Sequence, residues 1–179
     1  MTRKARHMSI GYRYWDDAAG AAVQYITSRD HPARLGTIAA LRRIEDKLIA
    51  EYFDKEPEVL DPRTIQNIWA SIGAEAFLLA AKQNENFSVE YVRKVLVRKQ
   101  TDYGPENIRR FGRRGLIVRM HDKVARLENL LSSGSKPNNE SIADNILDVI
   151  GYAAIGIMWE GDQFLLPLKS KSVSALTTS

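Results

Sequence analysis

Three carboxylates, Glu140, Asp144 and Asp148, recur every four residues towards the end of the chain. At 3.6 residues per turn, an i, i+4, i+8 series stays on one helical face and drifts by about 40° per step. Just upstream, Arg119, Lys123 and Arg126 repeat the pattern with the opposite sign, and Asp122 sits among them. Like charges one turn apart repel, so each row calls for compensation by counter-charge, a divalent cation or solvent. Mg²⁺ takes oxygen ligands and shares them with waters and substrate phosphates. If the two faces meet at a cleft, Asp122, Glu140, Asp144 and Asp148 hold Mg²⁺ and the basic row holds phosphates. That arrangement suits metal-assisted hydrolysis of a phosphoanhydride. The same rows would also build a plain interhelical salt-bridge network, and charge spacing by itself favours that simpler outcome.

The segment before the basic row has its own chemistry. It reads Lys99, Gln100, Thr101, Asp102, Tyr103, Gly104, Pro105, Glu106, Asn107, then Phe111-Gly112 and Gly115-Leu116. Tyr103 and Phe111 could stack on a base, and Asn107 could bond a base edge or a sugar. An ordinary helix connection has the same composition. Arg109-Arg110 and Arg113-Arg114 flank Phe111 and suit phosphates. No nucleic-acid motif accompanies them, so a small-molecule ligand is favoured over nucleic acid.

Elements that can position these residues are helical. Apolar residues at Leu35, Ile38, Ala39, Leu41, Ile44, Leu48, Ile49 and Tyr52 follow the amphipathic template. Trp15 to Thr27 is Ala-rich and ends near His31-Pro32. Asp61-Pro62 reads as an N-cap followed by Pro at the first helical position, opening a helix that runs to about Lys82. Ser88 caps the next. Thr101 to Gly115 reads as a structured loop with one short helical turn. Leu116 to Leu131 and Glu140 to Trp159 form a helical hairpin across a polar turn. No strand alternation or internal repeat is evident. The expected fold is an all-α bundle of about six helices. Residues 1–84 read as an N-terminal helical layer or extension, 85–160 as the chemical core, and 161–179 as a disordered tail.

Composition narrows the function. The 179 residues carry 26 Lys+Arg against 22 Asp+Glu, three His and no Cys. Disulfides, thiolate zinc sites and thiol nucleophiles are excluded. The charge is unevenly placed. Between Phe87 and Ser132 the balance is +6, and between Asn138 and Asp162 it is −5. No apolar run of membrane-spanning length occurs, and the basic start at Met1 to Met8 lacks an apolar h-region, so a cytoplasmic protein without membrane contact is expected. Met8 is an alternative start. Glu45-Asp46 reads as solvated, Glu75 as a surface residue or a further ligand, His121 as structural, and Trp15, Trp69 and Trp159 as core or interface anchors.

The ordered set Lys99-x-x-Asp102-Tyr103-Gly104, Gly115-Leu116-x-x-Arg119-x-x-Asp122-Lys123-x-x-Arg126-Leu127-x-Asn129-Leu130 and Glu140-Ser141-x-x-Asp144-x-x-x-Asp148-x-x-Gly151-Tyr152 resembles the nucleotide-modification-associated domain family, type 1. That family is found largely in phages and bacteria and is similar to the MazG-like all-α nucleoside triphosphate pyrophosphohydrolases. The resemblance spans about Phe87 to Trp159 and implies a MazG-like core hairpin. It also implies Mg²⁺-dependent hydrolysis of a nucleoside triphosphate, of the deoxy series, to monophosphate and pyrophosphate, in nucleotide-pool or phage DNA-modification metabolism. Asp148 and Tyr152 match the family's Asp and following aromatic. The sequence departs from the ExxE and ExxD pairs of MazG-like enzymes, with Asn145 three residues before Asp148 and Arg119-x-x-Asp122 in the other place. Under this resemblance Asp122, Glu140, Asp144 and Asp148 are the catalytic metal ligands. Lys99, Arg119, Lys123 and Arg126 meet phosphates, and Asp102, Tyr103, Asn107 and Tyr152 complete the substrate site. A homo-oligomer is expected. The alternatives are a module that binds a nucleotide without cleaving it, and an Arg-rich helical protein that associates with nucleic acid.

Overall fold

The computed structural model describes residues 11–28, 35–53, 61–134 and 140–169. Among them are seven helices and no strand: α1 (Trp15–Ser28), α2 (Ile38–Phe53), α3 (Pro62–Lys82), α4 (Val89–Tyr103), α5 (Glu106–Arg109), α6 (Gly112–Ser133) and α7 (Ile142–Glu160). Six are long and α5 is a single turn, so the all-α bundle expected from periodicity is what forms.

Local chemistry sets the ends. The Asp61 carboxylate accepts from the backbone N–H groups of Arg63 and Thr64 at the start of α3, with Pro62 at the position where a missing N–H costs nothing. Ser88 accepts from Tyr91 N at the start of α4. Gly104 ends α4 with φ of 63°, and Gly112 opens α6 with φ of 56°. L side chains rarely adopt either conformation, so these two residues set the bends on both sides of α5.

The packing is built around α7. It lies against α3, α6, α1 and α4, and its contact with α3 is the most extensive in the bundle. Gly156 makes that contact close, because a Cβ there would lie 2.3 Å from the Trp69 ring. By length and composition α7 could cross a membrane, yet more than half of its apolar window is buried within the bundle. Its apolar character follows from its being packed on several sides.

Several expectations are corrected. The stretch from Thr101 to Gly115 is mostly helix: α4 continues to Tyr103, α5 supplies the short turn, and α6 already begins at Gly112. Residues 161–169, expected in the tail, pack back on the bundle. Phe164 and Leu168 are buried, Trp15 N donates to Pro167 O at 2.9 Å, and Lys169 N donates to the Asp16 carboxylate at 3.0 Å. The rest of that expected tail, 170–179, lies outside the described residues, as does the 135–139 part of the hairpin turn. Buried residues of α1, α2 and α3 join those of α4, α6 and α7 in one apolar cluster.

Glu75 and Glu45 are both buried rather than surface groups. Glu75 accepts from the N–H groups of Leu35 and Gly36 at 3.0 and 2.7 Å, tying the entry of α2 to α3. Glu45, on α2, lies 3.0 Å from both Arg42 Nη1 and His121 Nδ1, and so ties α2 to α6. A buried carboxylate persists only with such partners.

Candidate functional site

The site begins with a stripe on α4. Val92, Val95, Leu96, Lys99, Gln100 and Tyr103 follow a spacing of three, one, three, one and three, which keeps them on one helical face. Facing them on α7 are Leu147, Asp148, Gly151, Tyr152 and Ile155. Lys99 meets Asp148, and a Cβ on Gly151 would sit 3.1 Å from Leu96, so the two helices run antiparallel here. Arg119 and Lys123 enter from α6, Asn107 and Ile108 from α5, Glu140 from just ahead of α7, and Trp15 from α1. Together they enclose a cavity of about 450 Å³, within the usual range of small-molecule sites.

Its two ends differ in polarity. Val92, Val95, Leu96, Leu147, Gly151 and Ile155 are buried and give an apolar floor. The mouth is charged. Lys123 Nζ lies 3.0 Å from Asp148 Oδ2 and 2.5 Å from Glu140 Oε2, while Lys99 Nζ donates to the other Asp148 oxygen. Burial works against the Lys123 charge, but its hydrogen bonds to Glu140 and Asp148 outweigh that, and its pKa is raised. Burial also raises the Tyr152 phenol, helped by the negative charge of Asp148. Tyr103 is 69% exposed and edges the opening. Arg119 also lines the cavity and makes a long 3.5 Å contact with the Asn107 carbonyl.

Three sets of contacts fix the helices that carry the charged groups. Arg113, in the first turn of α6, forms a bidentate pair with Glu160 at 2.9 and 2.7 Å, and the Tyr52 hydroxyl donates to the same carboxylate at 2.5 Å. Burial and the Glu160 charge push the Tyr52 pKa well above its ordinary value. The Glu45–His121 contact fixes the middle of α6, two residues from both Arg119 and Lys123. At the start of α7, Ser141 and Asp144 form a reciprocal capping box, and Asn145 Nδ2 donates to Ser141 O at 2.8 Å. These bonds fix the backbone next to Glu140.

Most of the sequence-derived site residues therefore come together. Lys99, Tyr103, Asn107, Arg119, Lys123, Glu140, Asp148 and Tyr152 all line the cavity. Arg126 is peripheral, 3.9 Å from Glu140. Asp102 and Asp122 are exposed and do not line it. Asp144 is held by Ser141, whose hydroxyl and backbone N–H bonds keep its carboxyl below the usual range. Sequence reasoning missed the floor and Trp15. The unbroken stripe from Val92 to Tyr103 was the available signal for the floor. Trp15 is far away in sequence and no local pattern marks it.

The four carboxylates do not converge as a set, and among the described residues no group of three or more acidic or His side chains is placed to share a metal ion. Asp148 and Glu140 do converge, on the position that Lys123 Nζ takes. Two hard carboxylates fit the way Mg²⁺ is commonly held, with one or two protein ligands plus phosphates and water. Asp122 and Asp144, as placed, do not add to that pair. No protein-family model, curated protein or solved structure matches the chain.

Proposed function

We propose that the cavity between α4, α6 and α7 binds a nucleotide, with its phosphates on Lys99, Lys123 and Arg119. The observation that supports this best is the polarity of the cavity. Three cations stand at the mouth against two carboxylates, and behind them is an apolar floor suited to a flat ring. Tyr103 and Tyr152 offer aromatic faces beside the charged groups. Lysine and arginine at a partly desolvated site form charge-assisted hydrogen bonds with phosphate oxygens, stronger than neutral ones. Bound phosphates would draw Lys99 and Lys123 from Asp148 and Glu140.

That exchange supports a second reading, hydrolysis of a nucleoside triphosphate to monophosphate and pyrophosphate. Once Lys123 turns to a phosphate, Asp148 and Glu140 are left as a pair of oxygen ligands on one cation position. Asp148 and Glu140 would hold Mg²⁺ there, and the ion would supply charge neutralisation on the phosphates and activation of water. The chain's own part is to orient the phosphates through Lys99, Lys123 and Arg119 and to keep the nucleoside fixed.

One experiment addresses both. Ribo- and deoxynucleoside triphosphates are incubated with the protein, with and without Mg²⁺, while thermal stability is followed and the nucleotides are separated afterwards. Binding predicts a higher Tm that rises with nucleotide concentration. Hydrolysis further predicts Mg²⁺-dependent monophosphate and pyrophosphate. No shift with any nucleotide contradicts both, and a shift with nucleotide recovered intact leaves capture alone.

A further inference from the structure

Five buried side-chain polar atoms among the described residues have no hydrogen-bond partner, and two belong to residues that line the cavity: the Trp15 indole Nε1 and the Asn107 Oδ1. Trp15 itself is fully buried. One atom is a donor and the other an acceptor. Buried groups of this kind are normally satisfied by protein, ordered water or ligand, and leaving them unpaired costs free energy. The two residues come from elements far apart in sequence, α1 and α5, and both line the same cavity.

The apolar part of the wall restricts what can supply the missing partners. Val95, Leu96, Leu147 and Ile155 offer no hydrogen bonds from their side chains, so a sugar ring buried against them would leave hydroxyls unpaired. A nucleobase is different. Its faces are flat and weakly polar, and its edge presents a donor and an acceptor side by side.

On the nucleotide reading above, we propose that Trp15 is a base-recognition residue. Its indole N–H donates to a ring nitrogen or carbonyl oxygen of the base, and Asn107 Oδ1 accepts from a base N–H. The base then lies between α4 and α7, and the phosphates remain with Lys99 and Lys123. This gives α1, which carries no phosphate-binding group of the site, a part in choosing the ligand. A site built to hydrogen-bond a polar edge discriminates strongly against analogues that lack it.

The test is a calorimetric titration of wild type, Trp15→Phe and Asn107→Leu with the four deoxynucleoside 5′-monophosphates, deoxyribose 5-phosphate and pyrophosphate. Wild type should bind at least one nucleotide more tightly than the base-free sugar phosphate. Trp15→Phe keeps the ring and removes the N–H. It should weaken that nucleotide by about tenfold, the effect of one hydrogen bond, and leave pyrophosphate unchanged. Asn107→Leu should act in the same direction. It lies on the one-turn helix α5, is only partly buried as a residue, and decides the matter if Trp15→Phe does not fold. Nucleotide affinity unchanged in the folded variants, or base-free phosphates binding as well as nucleotides, would overturn the role of Trp15 and leave the cationic mouth standing. Binding of neither nucleotides nor pyrophosphate would overturn the nucleotide reading itself.

Discussion

The Lys123 ammonium lies 3.0 Å from an Asp148 carboxylate oxygen on the wall of the cavity. Both side chains are mostly buried, at 18% and 15% exposure. A pair in that position is neither a solvated surface bridge nor a sealed core one. It is shielded enough to be strong and open enough to be exchanged for a ligand's charge. Lys123 and Arg126, with Glu140 and Asp148, thus form an interhelical salt-bridge network. On our account they become a phosphate site when a nucleotide enters.

The support of α6 should dominate stability. Arg113→Met would leave the Glu160 carboxylate, 1% exposed, without its bidentate cation. Stranding a buried charge costs about 3 kcal/mol or more. Urea unfolding should show a loss of that order, with a matching fall in Tm. A loss within about 0.5 kcal/mol, the range of ordinary surface substitutions, would show that the pair does not hold α6.

Asp144 separates capping from chemistry. Its carboxylate is engaged in the capping box with Ser141. Asp144→Ala should destabilise by about 1 kcal/mol, as loss of a cap does. Nucleotide affinity, measured by titration, should stay close to wild type. A large loss of affinity in a folded Asp144→Ala protein would place this residue in the site after all.

Glu45 should give stability a pH dependence. Burial raises its pKa above the ordinary value of 4.5, despite the opposing His121 and Arg42 contacts. The folded state therefore holds this proton more tightly than the unfolded state. The stability contributed is full below pH 4.5 and is lost as pH rises through the folded pKa. Glu45→Gln should flatten that part of a Tm-versus-pH curve. An identical slope in both proteins would assign the effect elsewhere.

Much of this was legible in the sequence. Apolar spacing located the long helices, and the opposite signs of the Lys123/Arg126 and Glu140/Asp148 rows anticipated facing charged helices. Local patterns could not reveal what distant chain segments do. Glu45 and Glu75 look like surface acids until His121, or the backbone of Leu35 and Gly36, is brought to them. Asp144 has the spacing of a metal ligand and also the spacing of a capping box, and in the structure it forms the capping box. Phe164 and Leu168 follow a helix end with no periodicity, so only tertiary packing shows that they are core.

The most direct measurement is a calorimetric titration with a nucleoside triphosphate of wild type, Lys99→Met and Lys123→Met, at low and moderate salt. Each lysine that meets a phosphate should contribute a charge-assisted bond, so each variant should bind roughly tenfold or more weakly and lose salt sensitivity. Circular dichroism should show helicity unchanged, since Lys99→Met leaves Lys123 on Asp148 and Lys123→Met leaves Lys99 there. Wild-type affinity and salt response in both variants would contradict the account, and Lys99, Lys123, Asp148 and Glu140 would then be no more than the bonds that join three helices.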